Sequence, residues 1–138
     1  MAEKPIISIE KVIKNYPVGG KEFRALKDIT LSINKGEFAG IVGPSGSGKT
    51  TLLNIIGSLD APTQGEAYVL DKNIAELSHN EAAKLRNYNI GFIFQVFNLL
   101  PVYTVFENVE FALLLQKNTV EQRLSLIHIS EPTRQEAI

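Results

Sequence analysis

The sequence predicts an α/β fold, and three observations carry that prediction. Alternating apolar and polar residues mark strands near the start of the chain. A short apolar run, Phe38 to Val42, leads straight into a glycine-rich loop, Gly43 to Thr51. Leu52, Leu53, Ile55, Ile56 and Leu59 then follow at helical spacing. Strands that both flank and alternate with helices place the chain in the α/β or mixed class.

Each element follows in order. Ile7, Ile9 and Ile13 alternate with polar residues, which reads as a half-buried strand ending near Tyr16. Pro17 and the Gly19-Gly20 pair mark a turn. Ile29, Leu31 and Ile33 alternate with Thr30 and Ser32, a second strand with one wet face. Asn34-Lys35-Gly36 is a tight turn, and Phe38 to Val42 reads as a buried strand. After the loop and helix, Ala61 to Gly65 is a loop, Glu66 to Leu70 a strand and Asp71-Lys72-Asn73 a turn. Ser78 with Glu81 three residues on is a capping-box pattern, opening a helix to about Tyr88. Ile90 to Phe94 is another apolar strand, ending at Gln95. Thr104 with Glu107 repeats the capping pattern and opens a helix to about Gln116. Phe92, Phe94, Phe97, Phe106 and Phe111 read as core residues, and His79 as a solvated one.

Composition narrows the function. The 138 residues suit one domain or a piece of a larger one. The hydrophobic fraction is 44% and the charged fraction 21%, which excludes wholesale disorder. Lys plus Arg is 14 against 15 for Asp plus Glu, so no basic bias suggests a nucleic-acid partner. The absence of cysteine excludes a disulfide framework, thiol catalysis and Cys-ligated metal sites. No apolar run reaches the ~18 residues of a membrane-spanning helix. The start, MAEKPII, has no apolar stretch of the secretory kind. The expected location is the cytoplasm, at the membrane only through a partner.

The loop carries the chemistry. Gly43, Gly48, Lys49 and Thr50 fit G-x-x-x-x-G-K-[ST]. Glycines let the backbone fold round an anion, because side chains would block close approach and φ must turn positive. The N–H groups of Gly46, Ser47, Gly48 and Lys49 can then point at phosphates, and the helix that follows adds its positive end. Lys49 supplies a point charge for the β- and γ-phosphates, and the Thr50 hydroxyl is placed to ligate Mg²⁺. Hydroxyls of Ser45 and Thr51 can donate to phosphate oxygens. The whole stretch Gly43, Pro44, Ser45, Gly46, Ser47, Gly48, Lys49, Thr50 and Thr51 is therefore the candidate nucleotide site. A plain glycine turn before a helix needs neither the lysine nor the threonine. A dinucleotide fingerprint would place Gly or Ala where Thr51 stands.

From about Lys4 to Arg123 the chain resembles the nucleotide-binding domain of ABC transporters. The resemblance rests on Tyr16 in KNYPVGG, on KDITLSINKGEFAGIVGPSGSGKTTLLNII, on Leu59 to Glu66 (LDAPTQGE), and on Gln95 after IGFIF. It implies a P-loop NTPase core of ABC type with an N-terminal antiparallel β subdomain. It implies that Tyr16 stacks on adenine. It also implies that Gln95, the Q-loop glutamine, approaches the metal and the γ-phosphate, joining Lys49 in catalysis. The cofactors would be ATP and Mg²⁺. The partners would be a membrane permease, separate or fused, and a second copy that dimerises with nucleotide. The place would be the inner face of the cell membrane. The stretch IGFIFQVFNLLPVYTVFENVEFAL is similar to the branch active in lipoprotein release and macrolide export.

The family's later motifs are not in these letters. Neither Leu77-Ser78 nor Leu124-Ser125 continues into Gly-Gly-Gln, and none of Asp28, Asp60 and Asp71 precedes a glutamate. The signature motif, the Walker B pair and the switch histidine are lacking, since His128 has no matching context. On this reading the chain is truncated before the Walker B strand and binds nucleotide without hydrolysing it, while its full-length parent is a transport ATPase. Residues 1–123 would be a partial nucleotide-binding domain through the Q-loop and the start of the helical subdomain. Leu124 to Arg134, LSLIHISEPTR, resembles translated read-through of a sequencing adapter, which would make 124–138 a foreign tail. Two alternatives compete: a stand-alone, non-hydrolytic nucleotide-binding module, and a small P-loop kinase, which the Tyr16 and Gln95 contexts oppose.

Overall fold

Strand periodicity organises the first half of the molecule. The computed structural model describes residues 4–95 and 98–114 together with 119, 121, 122 and 125. It divides into two compact units, residues 1–90 and 91–138. In the first unit β1 (Ile7–Val18), β2 (Lys21–Ile33), β3 (Gln64–Val69) and β4 (Lys72–Asn73) form one antiparallel sheet in the order β2-β1-β3-β4. Helices α1 (Lys49–Ile56) and α2 (His79–Asn89) complete it, with a 3-10 turn at Ile74–Glu76. The predicted turn at Gly19-Gly20 closes the β1–β2 hairpin, and Val18 pairs with Lys21.

The alternation predicted for β1 is broken by a bulge, the first of three register shifts in its pairing with β2. The register steps from Ile9↔Leu31 to Val12↔Ile29, so β1 holds one extra residue there. Lys11 sits at the break with φ 48° and donates its N–H to the Thr30 hydroxyl at 3.1 Å. The bulge moves Val12, rather than Ile13, onto the buried face with Ile9. Opposite it lies Gly65, at φ +83°. A Cβ there would fall 2.6 Å from the Glu10 carbonyl oxygen and closer still to that of Lys11, so only glycine lets β3 pass. Gly65 is thus part of a strand, not the end of a loop.

The core gathers where α1 and α2 meet the sheet. Ile9, Val12, Leu26, Ala67 and Val69 from the sheet bury with Leu52 and Ile55 of α1 and Leu85 of α2. The capping box of α2 forms as the sequence predicts. Glu81 N–H donates to Ser78 Oγ at 3.3 Å, and Ser78 N–H to the Glu81 carboxylate at 3.0 Å.

The second unit holds α3 (Val105–Leu114). Its capping box also forms, with Thr104 N–H donating to Glu107 at 2.7 Å and Glu107 N–H to Thr104 Oγ1 at 3.2 Å. Asn108 binds the preceding turn at both ends, accepting from Leu100 N–H and donating to the carbonyls of Leu100, Tyr103 and Thr104. The rest of the predicted helix, 115–116, lies outside the described residues, as does 124–138 apart from Ser125.

Two predicted strands do not form. Residues 38–42 and 90–94 carry no strand pairing. Phe38 is 101% exposed, Val42 93% and Ile93 102%. An apolar run becomes a strand only where a neighbouring strand accepts its hydrogen bonds, and among the described residues no segment does so for these two. Ile41 and Ile90 alone lean on the core of the first unit. The phenylalanines read as core are also partly solvated: Phe92, Phe94, Phe106 and Phe111 are exposed, and Phe97 lies outside the described residues. Phe92 and Phe94 stack on each other, centroids 5.7 Å apart.

Burial predicts opposite outcomes for two large apolar residues. Ile55→Ala should cost about 2–5 kcal/mol, because the fully buried side chain leaves a cavity. Phe38→Ala should change stability by less than about 0.5 kcal/mol. Urea midpoints of the two variants check this, and a large loss from Phe38→Ala would show that 38–42 is packed after all.

Candidate functional site

The glycine loop is set by the helix behind it. Gly48 is the N-cap of α1, at φ 90° and ψ 5°, and no side chain caps the first-turn N–H groups. No acidic residue stands in that turn either. The helix therefore presents uncapped donors and its positive end to the loop. Gly48 is wedged against β2. A Cβ would lie 2.7 Å from the Ala25 carbonyl oxygen and 2.9 Å from Leu26 Cδ2. Ser47 N–H donates to the Pro44 carbonyl at 3.3 Å and closes the turn, with Gly46 at φ +79°.

Lys49 folds back over this turn. Its Nζ donates to the carbonyls of Gly43 at 2.8 Å and Pro44 at 2.7 Å, with Ser47 Oγ at 3.5 Å. Among the described residues the ammonium is thereby held at the loop by neutral dipoles. Thr50 is exposed on the first turn and Thr51 half-buried beside it. Pro44 and Ser45 lie exposed on the loop's rim.

Tyr16 comes to the same helix from β1. Its hydroxyl donates to Asp60 Oδ2 at 2.8 Å, and Thr51 hydrogen-bonds to it as well. Burial and the Asp60 carboxylate together push the phenol above its usual range. Asp60 Oδ1 accepts from Lys14 Nζ at 2.5 Å and from Ala61 N–H at 2.8 Å. Burial pushes the Asp60 carboxyl up, but the Lys14, Tyr16 and Ala61 donors outweigh it, and the net shift is downward. Lys14 also donates to the Ala61 carbonyl at 2.7 Å and lies over the Tyr16 ring, 5.0 Å from its centroid.

The structure thus brings Tyr16, Thr51 and the loop onto one helix of the first unit. Gln95 belongs to the second unit, where it stands exposed at a bend after Phe94 rather than at the end of a paired strand. Sequence reasoning missed Lys14 and Asp60. Lys14 is two residues from Tyr16 on a strand and so shares its face. Asp60 had no local signal, because its partners lie 44 and 46 residues away.

Comparison with known proteins now decides the family. The family profile described as ABC transporter matches residues 26–137. The chain belongs to the ABC transporter family. MJ0796, an ABC transporter ATP-binding protein of Methanocaldococcus jannaschii, is 48% identical over 111 residues, 80% of this chain and 47% of that protein. A solved dimeric structure of the ATP-binding cassette MJ0796, in a post-hydrolysis state bound to ADP and Pi, superposes with a TM-score of 0.79. It covers 86% of this chain and 53% of that one at 44% identity. The lipoprotein-releasing system ATP-binding protein LolD of Alcanivorax borkumensis is 40% identical over 112 residues, 81% of this chain and 49% of LolD. The macrolide export ATP-binding/permease protein MacB of Photorhabdus laumondii is 46% identical over 105 residues, 76% of this chain and 16% of MacB. The likeness to LolD and MacB agrees with the branch that the sequence resembles. The chain spans about half the length of MJ0796 and LolD. Among the described residues no helix is long and apolar enough to cross a membrane.

The depressed carboxyls set an acid dependence. Asp60 is lowered as described, Glu81 by the Ser78 hydroxyl and N–H, and Glu107 by the Thr104 N–H and hydroxyl. Each favours the folded state above the unfolded carboxyl pKa of about 4, and that contribution is lost as pH falls through the folded value. The urea midpoint of Asp60→Asn should be lower than wild type at pH 7 and should fall less steeply below about pH 4. Parallel acid limbs would show that Asp60 is not held as drawn.

Proposed function

We propose that this chain is the phosphate-binding part of a transport ATPase, the subunit that couples MgATP to export or extraction of a substrate by a membrane permease. One observation carries the reading. Lys49 Nζ is held at the loop by two carbonyls, at the uncapped start of a helix with no acid in its first turn. That arrangement places positive potential at the loop, which suits a polyphosphate.

The roles divide by position. The loop N–H groups and Lys49 hold the β- and γ-phosphates. Ser45 and Thr51 add hydroxyl donors at the rim, and the Tyr16 ring carries adenine. Thr50 is exposed on the first turn of α1, and its hydroxyl would be the protein oxygen that holds Mg²⁺. Among the described residues no three acidic or His side chains gather as a metal site. Once bound, Mg²⁺ neutralises charge on the β- and γ-phosphates. Gln95 is assigned to the metal and γ-phosphate by its place in the chain after IGFIF.

Without a signature motif, an Asp-Glu pair or a switch histidine, this chain binds nucleotide and leaves it intact. The full-length protein dimerises around nucleotide on the inner face of the membrane. Phosphate-loop geometry does not set the direction of transport; the permease does. Residues 124–138 belong to a different DNA, which the string LSLIHISEPTR supports.

Lys49→Ala should abolish binding of a fluorescent ATP analogue to the 138-residue chain, while wild type binds it and releases no phosphate. Unchanged affinity in the variant would sink the proposal. Resequencing the locus past codon 123 should show an open frame running on to an Asp-Glu pair. A genomic frame that encodes Leu124 to Ile138 and then stops would instead leave a stand-alone binding module.

A further inference from the structure

The cluster around Tyr16 is more elaborate than a stacking residue requires. Beyond the β1 bulge two further register shifts place their extra residues on β2, as Lys14 pairs with Leu26 and Tyr16 with Phe23. Lys14 and Tyr16, two residues apart on β1, share one face, with the ammonium over the ring and both side chains on Asp60. Asp60 reaches that face from the far end of α1. The chain leaves the helix through Ser58 at φ 54°, and the N–H groups of Leu59 and Asp60 both return to the Asn54 carbonyl, at 2.8 and 3.2 Å. Two further bonds clamp the following segment to β1: Thr63 N–H to the Ile13 carbonyl at 2.9 Å, and Asn15 N–H to Thr63 Oγ1 at 3.0 Å. Asp60 is therefore fixed by backbone to the same helix whose first turn carries Lys49 and Thr50.

Both carboxylate oxygens of Asp60 are engaged. Oδ1 takes Lys14 and Ala61, and Oδ2 takes the Tyr16 hydroxyl. The phenol is thus committed to Asp60 and unavailable to the edge of a base. Lys14 Nζ lies over one side of the ring, 5.0 Å from its centroid, so a base stacking on Tyr16 would have to take the other side. A tyrosine ring free to swing would meet a base at many separations from the phosphate loop; one tethered to α1 meets it at a single separation.

We infer that Lys14 and Asp60 are positioning residues for nucleotide recognition: they hold the Tyr16 ring at a set distance from the phosphate loop, so that base and triphosphate are bound together. The inference rests on the reading of the loop as a phosphate site and of Tyr16 as the base platform. A purely structural role, stapling β1 to the end of α1, is the competing account. It would disturb all ligands of the loop alike.

The test uses two probes on the full 138-residue chain: MgATP, and magnesium with inorganic tripolyphosphate, which has the phosphates and no base. Lys49→Ala should abolish binding of both, and binding that survives it would overturn the phosphate-site reading. Tyr16→Leu should weaken MgATP on the order of tenfold, the scale of one base–aromatic stack, and leave tripolyphosphate unchanged. An unchanged MgATP affinity there would overturn the platform reading and the inference with it. Asp60→Asn and, separately, Lys14→Gln should each weaken MgATP several-fold and spare tripolyphosphate. In a Tyr16→Phe background, Asp60→Asn should have no further effect, because the hydroxyl it acts through is gone. Three results would overturn the inference while leaving the two readings standing. Asp60→Asn could weaken both probes equally, leave MgATP untouched, or act as strongly on Tyr16→Phe as on wild type. Lys14→Gln, judged by the same ratio of affinities, decides the matter if Asp60→Asn does not fold.

Discussion

An eight-residue helix has little stability of its own in water. Everything at the phosphate loop therefore depends on the two side chains that α1 buries, Leu52 and Ile55. They lie among Ile9, Val12, Ala67 and Val69 of the sheet, and each buried aliphatic side chain contributes about 1.5–3 kcal/mol. Seating the helix also seats Gly48 against Ala25 and Leu26, which fixes where the loop ends. The bulge at Lys11 belongs to the same requirement, because it turns Val12 toward α1. Gly65 in turn exists to let β3 pass that bulge.

Two lysines meet opposite electrostatic conditions within this arrangement. Lys14 faces Asp60, and the pair is mostly enclosed, with side-chain exposures of 12% and 29%. Its charge is cancelled locally and works as a tether. Among the described residues Lys49 is held by the carbonyl oxygens of Gly43 and Pro44 and, more distantly, by the Ser47 hydroxyl, at the end of a helix with no acid in its first turn. Its charge is oriented without being cancelled, so it still attracts an anion. A shared Lys code in the sequence hides this difference; it depends on which partner the fold supplies.

That dependence explains what was legible in the sequence. Local signals read correctly: the Ser78–Glu81 and Thr104–Glu107 capping boxes and the Gly19-Gly20 turn all involve partners a few residues apart. The glycine turn before α1 was legible for the same reason, since its lysine binds carbonyls five and six residues away. Distant partners were not. The Asp60 contacts with Lys14 and Tyr16 span 46 and 44 residues, and nothing at either end announces them. Strand identity for 38–42 and 90–94 failed similarly, because apolarity shows a preference for burial while a strand also needs a neighbour's backbone.

The phosphate loop consequently lies between a closed structure and an open one. Downstream it joins α1, which is packed, and laterally it touches β2 through Gly48. Upstream it joins 38–42, where the Phe38 and Val42 side chains face solvent and no ladder forms. A loop anchored on both sides would inherit its shape from the sheet before it as much as from the helix after it. Here the lysine bonds to Gly43 and Pro44 take over that task, drawing the upstream end of the loop onto the first turn of α1. Lys49 is therefore both the charge that would meet a phosphate and the strut that holds the loop's entrance. An anion competing for its ammonium would weaken that strut while supplying, through the loop N–H groups, a substitute for it.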